Sequence, residues 1–158
     1  MLTTEQKAIL KAAILDDPEL DAFPQNGDGA WGIAALLNLP AEPAFVVWKT
    51  NLPTSDCKKA MVWTEFISRS VGERDAWVFM LSNGTINPAD INVRQGIADI
   101  FSGPQAAATR AALLAIATRT ATRAEKLFAT GDGTVASPGT MGYEGNLSYQ
   151  DVLEARNS

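Results

Sequence analysis

The chain has 158 residues, 46% hydrophobic and 20% charged, a composition that buries a core as one domain of ordinary size. It carries a net charge of −5, no histidine and one cysteine, Cys57, which excludes Ser-His-Asp and Cys-His catalysis, the common histidine zinc sites and an intramolecular disulfide. No apolar run nears the ~18 residues of a membrane span, and the first residues lack the basic start and apolar core of a signal peptide.

Thr3-Thr4-Glu5-Gln6 fits a capping box, with Thr3 at the cap and Gln6 reaching back. It opens a helix expected to run to about residue 15, with Ile9, Leu10, Ala13 and Ile14 inward, until Asp16-Asp17-Pro18 stops it. Residues 19–29 read as a loop pinned by Leu20 and Phe23. Asp28 then caps a second helix over 29–37 that buries Trp31, Ile33, Ala34 and Leu37. After Pro40 and Pro43 comes Ala44-Phe45-Val46-Val47-Trp48, strand-like by propensity but too short to separate from a helical turn. With no similar partner strand nearby, a short helix starting at Pro43 is favoured.

Pro53-Thr54-Ser55-Asp56 reads as a turn and cap before a helix over 58–68 carrying Met61, Val62, Phe66 and Ile67. A further helix over 73–82 is dominated by Trp77, Val78, Met80 and Leu81 and closes at Asn83-Gly84. Residues 85–88 read as loop. A helix over 90–101 follows, with Ile91, Ile97, Ile100 and Phe101 inward, and Ser102-Gly103-Pro104 makes a sharp hinge.

Residues 104–130, PQAAATRAALLAIATRTATRAEKLFAT, form the longest run without an internal Gly or Pro. Pro104 suits a first helical turn and Gly131 the residue just past an end, so one helix of roughly 25 residues is expected. Its apolar face would carry Ala107, Ala111, Leu114, Ala117, Ala121, Ala124 and Phe128. Arg119, Arg123 and Lys126 would share another face, with Arg110 a few turns earlier. Beyond it lie five of the chain's twelve glycines and few large aliphatics, Leu147 among them, with Tyr143 and Tyr149 as the aromatics. Ser148 can cap a last turn over 149–156. The expected fold is therefore all-α, a compact bundle of short helices around one long helix. The expected division is a helical body over 1–130 and an extended docking tail over 131–158, which either lies along the body or docks on a partner and whose removal should leave the body folded.

Charge is uneven along the chain. Residues 1–28 are net −4, 29–129 net +2 and 130–158 net −3. That argues against a protein coating nucleic acid over its whole surface and allows acidic ends to pair with basic patches on neighbouring copies. The GxxxxGK[ST] phosphate loop is absent. Gly27-Asp28-Gly29 and Gly131-Asp132-Gly133 lack the ligand series of a calcium loop and read as turn and cap chemistry. The acids Asp16, Asp17, Glu19 and Asp21 suit a cation or an acid/base pair less well than a solvated helix end. No catalytic residue, metal or cofactor is therefore expected. The candidate contact residues are Arg110, Arg119, Arg123 and Lys126, read either as a docking face or as a solvated helix face, with Tyr143, Leu147, Tyr149 and Val152 of the tail.

Three blocks carry a resemblance: TTEQKAILKAAILDDPEL, NGDGAWGIAALLNLPAEPAFVVWKTNLP and RTATRAEKLFATGDGTVASPGTMGYEGNLSYQDVLEARNS. Together they resemble a family of small proteins of tailed bacteriophages and prophages, over nearly the whole chain. The most specific part is residues 119–130 with the Tyr-Glu-Gly-x-Leu-Ser-Tyr-Gln-Asp-Val segment. The resemblance implies a non-enzymatic virion or assembly protein, made in the host cytoplasm. In outline it is similar to the head–tail connector (adaptor) proteins of the virion neck, rings of about twelve copies that bind the portal and tail proteins close to packaged DNA. Another virion station, such as tail completion or capsid association, is the alternative within that class. A small helical DNA-binding or regulatory module is the competitor outside it.

Overall fold

Helix α1 (Thr4–Asp16) begins where its capping box requires: Thr3 accepts from the Gln6 N–H at 3.2 Å and Gln6 Oε1 accepts from the Thr3 N–H at 3.0 Å. The computed structural model describes residues 1–158 and divides them into two units, one of 1–47 with 120–158 and one of 48–119. The chain is mostly helical, with short strands as well, so the all-α expectation holds only coarsely.

In the first unit α1 is followed by α2 (Pro18–Asp21) and α3 (Gly27–Leu37). Asn26, not Asp28, caps α3, its side chain accepting from the Gly29 N–H at 3.0 Å. Gly29 is required there, because a Cβ at that position would lie 1.9 Å from the Pro24 carbonyl oxygen. Two elements from the far end of the sequence complete this unit: α9 (Arg123–Phe128) and α10 (Tyr149–Asn157). Leu10, Ile14, Ile33, Phe128, Leu147 and Val152 belong to its core, and α10 packs on α1 and α3. Ile9 and Trp31, expected inward, are exposed.

The second unit holds α4 (Thr54–Ala60), α5 (Trp63–Ile67), α6 (Val71–Met80), α7 (Ile91–Ile100) and α8 (Ala107–Ile116). The helix expected over 58–68 is thus two, broken at Met61-Val62. Strand β2 (Leu52–Pro53) pairs antiparallel with β3 (Thr85–Ile86), Leu52 opposite Ile86, within a stretch expected to be loop. Trp77 and Phe101 meet edge to face at 5.0 Å in a core that includes Leu52, Cys57, Ile97 and Leu113. The start of α8 has no cap of its own. Glu65 supplies one, accepting from the Thr109 N–H at 2.7 Å.

The single long helix expected over 104–130 does not form. A 3-10 turn (Pro104–Ala106), α8, strand β4 (Thr118–Thr120) and α9 occupy that stretch. Thr118, Thr120 and Thr122 alternate with the period of a strand, and Thr122 restarts the helix through a capping box with Glu125, 3.1 and 2.9 Å. Val46–Trp48 is likewise not helical. It forms strand β1, and β1 and β4 make a two-stranded sheet.

Nor do residues 131–158 form a free tail. Val46 donates to the Gly133 carbonyl at 2.7 Å and accepts from the Gly139 N–H at 2.8 Å, while Thr130 and Thr140 exchange two bonds of 2.9 Å. The glycines let this loop close over the Phe45 ring: a Cβ on Gly133 would come within 2.1 Å of it, and one on Gly139 within 2.7 Å. Asn38 then holds Leu147 by both backbone groups, each at 2.9 Å, and Ser148 caps α10 in a capping box with Asp151.

Candidate functional site

The four expected cations do not share a face. Arg110, on α8, donates to the carbonyls of Phe101 and of Gly103, satisfying acceptors at the end of α7. Arg119 lies in β4. Arg123 occupies the first turn of α9, where the helix dipole disfavours a cation, and carboxylates offset it: Asp17 at 3.0 Å and Glu19 at 4.0 Å. Asp17 also caps α2, so one of the four acids weighed as a cation site is engaged in holding a helix start and an arginine. Lys126 reaches over the Phe45 ring, 5.9 Å from its centre.

Arg123 and Lys126 do meet in one place. With Asp17, Glu42 and the side chains of Leu20, Leu37 and Leu127 they line a cleft of about 420 Å³ in the first unit. Its charges are mixed and its one close ion pair is internal.

The expected contact residues of the tail divide. Leu147 and Val152 are core residues, 3% and 0% exposed, and are withdrawn as contact candidates. Tyr143 lies edge-on to Phe128 at 5.5 Å, and its hydroxyl donates to the Asn146 carbonyl at 2.8 Å. Burial, then the Asp151 and Glu125 carboxylates, raise the tyrosine pKa. Tyr149 alone keeps a surface position, stacked flat on Trp31 at 5.6 Å with 8° between the rings. This aromatic platform is half open to solvent and stands beside Asp28, also exposed.

The larger surface feature was not expected. On α6 the exposed positions are Val71, Gly72, Asp75, Ala76, Val78 and Phe79, five of them uncharged and Phe79 79% exposed. Trp63 and Ile67, one turn apart on α5, are exposed as well, as is Ile91 at the start of α7. Two of the acids on these helices are turned to capping work, while Asp75 on α6 is exposed. Glu65 serves α8, and Glu73 accepts from the Ser70 N–H and hydroxyl at 2.8 and 2.7 Å, contacts that hold both carboxyls below the usual range. Its sequence signal was Trp77-Val78-Phe79-Met80-Leu81. Five consecutive large apolar residues on a helix sweep more than a full turn and cannot all face one core.

Comparison with protein-family models, with curated proteins and with solved structures finds no match to this chain.

Proposed function

We propose that the chain is a structural protein of the tailed-phage virion, a head–tail connector (adaptor) subunit that assembles as a ring in the neck and binds the portal. The three sequence blocks that resemble phage proteins point to the virion. The observation that carries the assembly role is the outward stripe of α6, where Val71, Val78 and Phe79 are exposed, together with the exposed Trp63 and Ile67 of α5. Clusters of this kind mark surfaces that another molecule covers. A DNA-binding role draws less support, because the basic helix it needs is replaced by a strand, a cap and a short helix whose one arginine is paired with Asp17. The binding surface is accordingly assigned to the helical unit of 48–119 and not to the C-terminal residues.

The test is mass measurement of the purified protein by light scattering or native mass spectrometry, alone and mixed with its cognate portal protein. Capture by the portal, or a ring of about twelve copies on it, is the expected result. A protein that ignores the portal overturns the connector reading.

A further inference from the structure

The dipeptide Asn-Gly occurs twice, at Asn26-Gly27 and at Asn83-Gly84, and all four residues are exposed. Asparagine is chemically labile, and a following glycine offers a backbone nitrogen that no side chain shields. Exposure does not separate the two pairs. Hydrogen bonding does. Asn26 is the cap of α3, its side-chain oxygen accepting from the Gly29 N–H at 3.0 Å and its carbonyl from the Ala30 N–H at 3.0 Å. Gly27 is the first residue of that helix. Closing a ring between them would turn the side chain off the cap and the Gly27 peptide out of the helix. Asn83 has no such duty. It lies in the turn after α6, and neither its side-chain amide nor the Gly84 N–H takes part in a hydrogen bond. Gly84 is held only through its carbonyl, which accepts from the Thr54 N–H at 3.0 Å. Its φ is +78°, and a Cβ there would meet nothing within 4 Å, so the turn is open to ring closure and to water.

We propose that Asn83 is a site of spontaneous deamidation in the folded protein, and that Asn26 is protected from the same reaction by its cap. The Gly84 nitrogen, its proton lost to solvent base, bonds to the Asn83 Cγ. The Cγ–Nδ2 bond breaks, and that nitrogen leaves as ammonia after taking a proton from water. Water then adds to either carbonyl of the five-membered imide and opens it. One opening gives aspartate at 83. The other gives an isoaspartyl link, in which the main chain is one methylene longer. Water and base are the only reagents, and nothing is oxidised or reduced. Either product puts a carboxylate just past the C-terminal end of α6, where the helix dipole disfavours it. The isoaspartyl product also lengthens the chain directly before β3, whose Ile86 is paired with Leu52. Nothing in this chemistry depends on the virion role.

The experiment is peptide mapping by mass spectrometry of the full chain, incubated at mildly alkaline pH in native buffer and in denaturant. In native buffer the peptide holding residue 83 should gain one mass unit, divide into aspartyl and isoaspartyl forms, and react faster as pH rises. The peptide holding residue 26 should react roughly fivefold or more slowly, the factor that an N-cap of typical strength imposes. In denaturant the cap is lost and the two rates should converge. An Asn83→Gln chain, which would have to close a larger ring, should stay unchanged at that position over the same period. Native rates that are equal, or faster at Asn26, overturn the proposal, as does an Asn83 that reacts in denaturant but not in the native chain. A difference that persists in denaturant overturns the protective role of the cap.

Discussion

Cys57 sits on α4 with no exposed surface, and its burial, with the Asp56 carboxylate beside it, pushes the thiol up to about 11 against a weaker lowering by a backbone hydrogen bond. At pH 8 only ~0.1% of it is thiolate by that value, so a disulfide reagent should leave the native protein unlabelled and modify one thiol rapidly in denaturant. Rapid native labelling would mean that α4 opens readily. The linkage has a definite sign. The folded protein holds the thiol proton where the unfolded chain has lost it, so this contribution to stability is intact below the ordinary thiol pKa. It is lost as pH rises through about 11. The buried, inert thiol is the reading that a lone cysteine in this chain invites. Glu125 was harder to foresee. It is 2% exposed, and its side chain accepts from the Thr122 N–H at 2.9 Å and from the Gly145 N–H at 3.1 Å. Its first partner is written in the local spacing Thr-x-x-Glu, but its second is twenty residues away, and no local pattern announces it.

At the scale of the element, local signals worked where the partner was local. The capping boxes at Thr3 and Ser148 form as their residues direct, and Asp90 opens α7. The misread stretches share another cause. Summed over 104–130, alanine and leucine favour helix, yet three threonines in alternation locally outweigh that sum. Val46–Trp48 could not be recognised as a strand because its partner, Thr118–Thr120, lies some seventy residues on. The C-terminal helix allows a quantitative check. Ser148→Ala removes the N-cap of α10 and should cost about 1 kcal/mol in urea unfolding at neutral pH. Burial alone would raise the Asp151 pKa, but the bonds from the Ser148 hydroxyl and N–H prevail and hold it low. A depressed carboxylate stabilises the fold above its unfolded pKa and stops doing so as pH falls through the folded one. The difference between wild type and Ser148→Ala should therefore shrink in acid, measured as paired denaturation curves at neutral pH and near pH 3. A constant difference would show that Asp151 draws its stabilisation from elsewhere.

At the scale of the molecule, composition suggests a body followed by a polar, glycine-rich tail, and the arrangement is different in kind. The unit of 48–119 is inserted within another whose residues come from both ends of the sequence. Glycine content misled because Gly133 and Gly139 let backbone approach Phe45 and Gly142 lets it approach Phe128, a packing role that composition does not separate from flexibility. The consequence can be weighed. Leu147, Val152 and Ala155 are all in the core of the first unit, and the two larger side chains are each worth roughly 1.5–3 kcal/mol when fully buried. Their loss, with the backbone bonds from Thr140, Gly142 and Leu147 and the Lys7–Glu154 ion pair at 2.7 Å, approaches the 5–15 kcal/mol or so that holds a typical domain folded. A chain ending at residue 130 should therefore lose amide protection throughout α1, α3 and α9, read by hydrogen exchange with mass spectrometry. Helices α4 to α8 draw their core from Leu52, Trp77, Ile97, Phe101 and Leu113, all inside 48–119, and should keep theirs. Protection retained in α1 and α3 would show that residues 131–158 decorate a self-sufficient unit, and the C-terminal segment would again be free to serve as a docking arm.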